Sequence, residues 1–246
     1  MMANFGKGGI NLTKNINTPA FIIDEKILRH DTEHLRKIAD EASCRLLYSL
    51  KACSLYPVLD VLSEYVDGFG CSSLYELKLV DQIAKLGQSI HLVSPLISED
   101  TILPFGDSLG YVTMNSLSQW GRLRNKISSL TQVEIRINPQ LSFLNDPRYD
   151  PCRPDSKLGV PLDKLAKLVE ADYDLLEGIS GLHFHTNCDE KDFSSLLATV
   201  RHIKDMIPRF LNQINWVNMG GGYLFNEAEN FSFLLKRWRF SETSSA

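Results

Sequence analysis

The sequence predicts an α/β barrel of the TIM type, built from parallel strand–helix units. Short apolar stretches alternate with amphipathic stretches of about ten residues or more, and this alternation is typical of parallel βα units. Polar residues recur where the predicted strands end, which is where barrels of this type bind ligands. An open doubly wound sheet is the alternative, but no G-x-G-x-x-G motif follows the first strand.

Each predicted element depends on its own pattern. The first strand, RLLYSLKA, is an apolar run, and the helix EKILRHDTEHLRKIADEA before it repeats apolar residues at helical spacing. The strands predicted in this way are 45–52, 67–73, 89–95, 111–116, 132–139, 178–186 and 214–222. The helices are 25–42, 56–66, 73–87, 117–130, 161–171, 190–207 and 226–238. We expect Gly87 to cap the third helix and Pro161 to occupy the first position of the fifth.

The number of strands is one fewer than the eight that close a TIM barrel. The chain ends in the short polar stretch KRWRFSETSSA, where an eighth apolar strand would be expected. We therefore expect about seven of the eight strands and an incomplete barrel.

Composition and charge narrow the class of function. The 246 residues include 26 basic and 30 acidic side chains, for a net charge of −4, so nucleic acid and anionic membranes are not expected partners. No apolar stretch reaches the length of a membrane span. The five cysteines form no C-x-x-C pair, which favours reduced thiols and a cytoplasmic location.

Three features at strand ends carry chemistry. Lys51 ends the first strand, where a lysine is more often simply solvated than functional. The run NMGGGY places Gly220, Gly221 and Gly222 between a strand and a helix, where backbone amides can bind phosphate or merely form a flexible turn. His183 and His185 lie on one face of their strand and could be packed side chains, metal ligands or, for His185, a ring that stacks on a flat cofactor.

Taken together, these features suit pyridoxal 5′-phosphate. This cofactor needs a lysine for its Schiff base, a holder for its phosphate and contacts on its ring. The Schiff base could be formed by Lys51, the phosphate could be held by the three glycines, and the ring could be contacted by His185. A metal-dependent barrel that uses His183 and His185 is a weaker alternative, because no Asp or Glu cluster accompanies the two histidines.

The sequence resembles the fold-type III pyridoxal-phosphate decarboxylases, which include ornithine, arginine and diaminopimelate decarboxylases. Within them it is most similar to the carboxynorspermidine (carboxyspermidine) decarboxylase group. The resemblance is carried by TPAFIID, LYSLKA, SSLYEL, RYDPCRPDSKLG, GLHFHTNC and NMGGGYLF, in this order.

The resemblance implies a role for each matching residue. Lys51 would carry the cofactor and act as the catalytic residue, and His185 would stack on its ring. The phosphate would be held by Gly220, Gly221 and Gly222 with help from Cys188, and Arg136 would lie near the pyridine edge. No metal is implied. The substrate would be a carboxylated polyamine that is decarboxylated to norspermidine or spermidine.

The resemblance also implies a domain organisation. It divides the chain into an N-terminal arm (1–17), a strand that joins the family's second, β-rich domain (18–24), the cofactor-binding barrel (25–238) and a polar tail (239–246). The family works as a homodimer that needs the β-rich domain, and a glutamate in an E-P-G motif keeps the ring nitrogen protonated. Neither that motif nor most of that domain is found in this sequence, so we expect impaired activity. The alternatives are a non-catalytic pyridoxal-phosphate barrel and an ornithine or diaminopimelate decarboxylase.

Overall fold

The structure is a computed structural model that describes residues 17, 19–144, 146 and 148–225. Within these residues the strands are β1 (Leu47–Ser49), β2 (Gly68–Cys71), β3 (Ser89–Val93), β4 (Tyr111–Met114), β5 (Gln132–Asn138), β6 (Val160–Pro161), β7 (Gly181–His183) and β8 (Trp216–Asn218). The α-helices are α1 (Glu25–Glu41), α2 (Tyr56–Leu62), α3 (Leu74–Val80), α4 (Glu99–Ile102), α5 (Leu117–Leu123), α6 (Leu162–Ala171), α7 (Ser194–Met206) and α8 (Pro208–Leu211).

The sheet has the predicted parallel topology. Its strands lie in the order β1-β2-β3-β4-β5-β7-β8, every pairing is parallel, and the two-residue strand β6 adds to β5. The seven predicted strands are therefore confirmed, and β6 is an addition that the sequence pattern did not reveal. Among the described residues, β1 and β8 form the two edges of the sheet.

The register of the sheet brings distant polar residues to one level. Arg136 of β5 is paired with His183 of β7, which is paired in turn with Asn218 of β8. Two residues earlier on β5, Glu134 is paired with Gly181 and Thr113. Because side chains alternate between the two faces of a strand, Glu134 and Arg136 share one face of β5.

The apolar face of the sheet packs against the helices. Phe69, Leu92 and Val112 of the strands are fully buried, as are Leu59 and Leu77 of the helices that follow β1 and β2. Burial of one such side chain contributes about 1.5–3 kcal/mol. This layer fixes the strand ends in space, and the site is built on those ends.

Serine caps fix two of the turns from strand to helix. Ser73 Oγ accepts a hydrogen bond from the amide of Glu76 at the start of α3, and Ser116 Oγ accepts one from the amide of Gln119 at the start of α5. The side chain of Glu76 in return accepts from the amide of Ser72 at 2.6 Å. Reciprocal bonds of this kind stabilise helix starts and hold the loops at the carboxyl edge of the sheet.

Several predicted boundaries differ from the structure. The helix predicted over 73–87 ends at Val80, and Gly87, with φ +91°, forms the turn into β3 and does not cap the helix. Pro161 is the residue before α6, one position earlier than predicted. The strand predicted at 18–24 is absent from the described residues of that stretch, where Phe21 is fully exposed. The helix predicted at 226–238 lies outside the described residues.

Candidate functional site

Lys51 lies directly beyond the carboxyl end of β1. The amide of Leu50 donates to the carbonyl of Gly70 on β2 at 3.0 Å, and the amide of Ala52 closes a turn onto the carbonyl of Ser49 at 3.1 Å. The backbone on both sides of Lys51 is thus held, while its side chain is exposed. An exposed amine on a fixed turn at the carboxyl edge can be reached by a ligand.

The glycine loop (Gly220, Gly221 and Gly222) follows β8 and packs against the end of β7. Gly220 has φ +70°, and a Cβ there would lie 2.6 Å from the carbonyl oxygen of Phe184. Gly222 has φ +95°, and a Cβ there would overlap the carbonyl oxygen of Asn187 and lie 2.7 Å from its carbonyl carbon. Both positions require glycine, because side chains rarely adopt this conformation and real Cβ atoms do not approach so closely.

Gly221 differs from its two neighbours. No atom lies within 4 Å of the position its Cβ would take. Its amide donates to Nδ1 of His185 at 3.3 Å, which joins the glycine loop to the predicted stacking residue. The middle of the loop therefore leaves open space in front of its backbone that a ligand can enter.

His185 is neutral at physiological pH. Burial is the main cause that lowers the pKa of its imidazole to about 4, and the positive charge of Lys51 and the proximity of His183 and Arg136 act in the same direction. Lys51 and Arg136 are thus close enough to His185 for their charges to affect its ring. A neutral imidazole accepts the Gly221 hydrogen bond and presents an uncharged ring face.

Arg136 is a half-buried cation without an anionic partner. Its Nε atom is fully buried and has no hydrogen-bond partner, and no carboxylate among the described residues forms an ion pair with its guanidinium. Burial lowers the pKa of this guanidinium. Because a charge withdrawn from water is costly unless it is compensated, Arg136 is a ready partner for an anionic ligand.

Cys188 lies where two loops cross beside the site. Its thiol contacts the carbonyl of Tyr149 at 3.9 Å, and the thiol of Cys152 contacts the carbonyl of His185 at 3.6 Å. Cys188 is exposed, and the ammonium of Lys51 partly offsets the rise in its pKa that desolvation causes. The resemblance predicts a phosphate contact for Cys188, and its position next to Lys51 is compatible with that prediction.

Comparison with known proteins identifies the family. The family model for the pyridoxal-binding domain of the pyridoxal-dependent decarboxylases matches residues 25–236. The chain belongs to this family.

Two curated relatives of this family are decarboxylases of carboxylated polyamines. Carboxynorspermidine/carboxyspermidine decarboxylase of Campylobacter jejuni is 30% identical over 85% of the chain and 52% of the relative. Carboxyaminopropylagmatine decarboxylase of Synechocystis is 29% identical over 87% of the chain and 55% of the relative. The chain spans about half the length of the curated relatives it matches.

The fold is shared with a solved decarboxylase. The crystal structure of carboxynorspermidine decarboxylase from C. jejuni, complexed with norspermidine, has a TM-score of 0.76 and 27% identity over 90% of this chain and 55% of that one. The predicted fold-type III barrel is confirmed, and the predicted cofactor is confirmed at the level of the family. The roles of individual residues and the domain boundaries stay predictions.

The residues present fit pyridoxal 5′-phosphate. An uncompensated Arg136, the open space at Gly221 and an uncharged ring at His185 match an anionic, flat cofactor, and Lys51 supplies an accessible amine. Within the part of the chain that the structure describes, no group of three His, Cys, Asp or Glu side chains could hold a metal ion. None of the described helices is long and apolar enough to span a bilayer.

His183 lies deeper than His185 and takes part in a polar cluster that sequence reasoning missed. Its Nδ1 lies 3.5 Å from Oε1 of Glu134, a carboxylate that is 1% exposed. Trp216 and Asn218 of β8 donate to the same carboxylate at 3.0 and 3.3 Å. The alternation of Glu134 with Arg136 in QVEIRINP was the available signal, since both had to face the same side of the strand.

Proposed function

We propose that this chain carries pyridoxal 5′-phosphate on Lys51 and forms the cofactor-binding part of a decarboxylase for carboxylated polyamines of the carboxynorspermidine and carboxyspermidine type. One observation supports it above all: Lys51, Arg136, His185 and the glycine loop converge at the carboxyl edge of one sheet. The activity of a complete enzyme is part of the proposal, because the matched relatives are about twice as long.

Each residue has a distinct task in the proposal. Lys51 binds the cofactor covalently, and the glycine loop lets the phosphate approach its backbone closely, with Cys188 beside it. Arg136 compensates negative charge on the ring side, and the neutral His185 covers the ring face. Bound in this way, pyridoxal phosphate supplies an electron sink for decarboxylation.

The substrate class is supported by the relatives. Both curated relatives are named as decarboxylases of carboxylated polyamines, and the related crystal structure contains the polyamine norspermidine. We further infer a homodimer located in the cytoplasm. The family resemblance supports the dimer, and the five free thiols support the location.

Cofactor attachment is tested by titrating the purified chain with pyridoxal phosphate and following its visible absorbance. The wild-type chain should develop the absorbance of a lysine-bound cofactor, and Lys51→Ala should not. Lys78→Ala is a matched control, because this lysine is also exposed but lies on α3 and outside the loops named above. Equal absorbance in Lys51→Ala and wild type would contradict the proposed attachment.

Substrate class is tested by product chromatography. Carboxynorspermidine, carboxyspermidine, ornithine and diaminopimelate are offered to the loaded chain at equal concentration, and polyamine or amine products are quantified. The proposal expects turnover of the two carboxylated polyamines above the other two substrates. Because impaired activity is expected of this chain, the comparison uses the ratio of products and not their total amount. Preference for ornithine or diaminopimelate would refute the substrate class.

A further inference from the structure

Glu134 is a buried carboxylate that the proposed chemistry does not use. It lies on the interior face of β5, where Trp216 Nε1 donates to its Oε2 at 3.0 Å and Thr113 donates to its Oε1. Burial alone would raise the pKa of Glu134, but contacts with His183, Thr113 and Trp216 outweigh it and lower the pKa. The group is therefore an ionised acceptor that is surrounded by donors.

Asn218 connects this carboxylate to the glycine loop. Its Nδ2 donates to Oε1 of Glu134 at 3.3 Å, and its Oδ1 accepts from the amide of Gly220 at 3.1 Å. An ionised carboxylate can only accept, so it fixes which end of the Asn218 amide faces it. The other end, the carbonyl oxygen, must then face Gly220.

The hydrogen bond to Gly220 matters because that residue sets the shape of the loop. Gly220 has a positive φ and packs against the backbone of Phe184 and His185. The next amide, of Gly221, reaches Nδ1 of His185. A change in the orientation of Asn218 would therefore alter the conformation of the glycine loop at its first residue, Gly220.

We infer that Glu134 is a positioning residue for the phosphate site: through Asn218 it holds the glycine loop in the shape that binds the cofactor phosphate. The inference rests on the proposed function, since it presumes that the glycine loop binds that phosphate. Glu134 acts only through Asn218, which stands between its carboxylate and the loop.

Glu134→Gln tests the connection with little change in volume. The indole of Trp216 can only donate, so the new amide is expected to turn its oxygen to Trp216 and its NH2 group to Asn218. Asn218 must then rotate, which places its own NH2 group against the amide of Gly220. Two donors facing each other disfavour the loop conformation that binds phosphate.

A second substitution should repair this defect. In the double variant Glu134→Gln/Asn218→Asp the carboxylate is moved closer to the loop, where it accepts from both the introduced glutamine amide and the amide of Gly220. The introduced amide and the amide of Gly220 again have acceptors, and the Thr113 hydroxyl, which can accept as well as donate, can accept from the second hydrogen of the introduced amide. Phosphate binding should therefore return. Glu64→Gln is the matched control, because Glu64 is an exposed glutamate paired with Arg29 and away from the site.

The measurement compares dissociation constants for pyridoxal 5′-phosphate and for pyridoxal, which lacks the phosphate. Glu134→Gln should weaken binding of the phosphorylated form about tenfold, equivalent to about 1.4 kcal/mol, and leave pyridoxal binding unchanged. The double variant and Glu64→Gln should match wild type. Should Glu134→Gln not yield soluble protein, Asn218→Ala replaces it: this change removes the link to the glycine loop, leaves Glu134 its contacts with Trp216 and Thr113, and should weaken phosphate binding in the same way.

The outcomes separate the two proposals. If wild type binds pyridoxal phosphate no better than pyridoxal, the proposed phosphate site is wrong and this inference with it. If wild type prefers pyridoxal phosphate and Glu134→Gln keeps that preference, only the positioning role is overturned. The same holds if Glu134→Gln loses affinity for pyridoxal phosphate and for pyridoxal equally. Failure of the double variant to recover the preference would also overturn it.

Discussion

The last two glycines of the phosphate loop should respond to alanine in opposite ways. Gly222→Ala places a Cβ on the carbonyl group of Asn187, 2.7 Å from a backbone carbon that cannot rotate away, at a φ of +95°. The left-handed conformation costs about 1–2 kcal/mol and the overlap about 1–2 kcal/mol more. We expect the free energy of unfolding to fall by about 2–4 kcal/mol.

Gly221→Ala meets no atom within 4 Å and does not require a positive φ. Its effect on the free energy of unfolding should stay within about 0.5 kcal/mol, because alanine also reduces the entropy of the unfolded chain. The new methyl group enters the open space in front of the loop, so affinity for pyridoxal phosphate should fall while that for pyridoxal is retained.

Urea unfolding of the cofactor-free variants, followed by tryptophan fluorescence, gives both stabilities in one experiment. Equal stability losses at Gly221 and Gly222 would refute the loop geometry. A neutral Gly222→Ala would show that the loop does not pack on Asn187. Undiminished phosphate preference in Gly221→Ala would show that the open space in front of it is not the phosphate site.

Three further predictions follow from the same site. The pKa of His185 is about 4 in the folded chain against 6.5 in the unfolded chain, so the unfolded chain takes up a proton first as the pH falls. The free energy of unfolding should therefore be at its full value above pH 6.5 and decrease towards pH 4. In urea titrations, His185→Gln should make this decrease shallower. Cys188 should react with iodoacetamide before Cys152, because Cys152 is buried and its pKa is raised to about 12. Pyridoxal phosphate should slow the reaction at Cys188 alone. Peptide mass spectrometry measures both rates, and faster labelling of Cys152 would contradict the prediction. Arg136→Met should raise the free energy of unfolding of the cofactor-free chain by about 1 kcal/mol, because it removes an unpaired charge, and should weaken cofactor binding. A lower free energy of unfolding in the cofactor-free variant, measured with urea, would contradict this prediction.

The strand positions of the site were predictable from the sequence because they depend on local pattern. The apolar run before Lys51 and the alternation in GLHFHT place Lys51 and His185 at strand ends without any knowledge of the partners. The glycine loop was predictable as a loop, but which glycine faces backbone and which faces open space depends on φ values that the letters GGG do not encode.

The interior cluster could not be predicted because its contacts join strands that are distant in the chain. Glu134 meets Trp216 and Asn218 across sequence separations of 82 and 84 residues, and only the β5-β7-β8 register brings them together. Helix ends were misjudged for a related reason. Gly87 precedes Gln88, whose side chain donates to the carbonyls of Ser63 and Val66, so tertiary contacts, and not helix propensity, decide how the chain turns after α3.

The charge distribution of the site favours a bound anionic ligand and does not favour the stability of the cofactor-free chain. Glu134 has donors on both oxygens, whereas no carboxylate among the described residues pairs with Arg136, which lies two residues further along the same strand face. A chain optimised for stability alone would replace this guanidinium by an apolar group, because an uncompensated charge removed from water costs more than it returns. Retaining Arg136 next to a histidine held neutral leaves positive charge uncompensated until an anion arrives. Cofactor binding and stability should therefore be coupled, and Arg136 is the residue at which that coupling is largest.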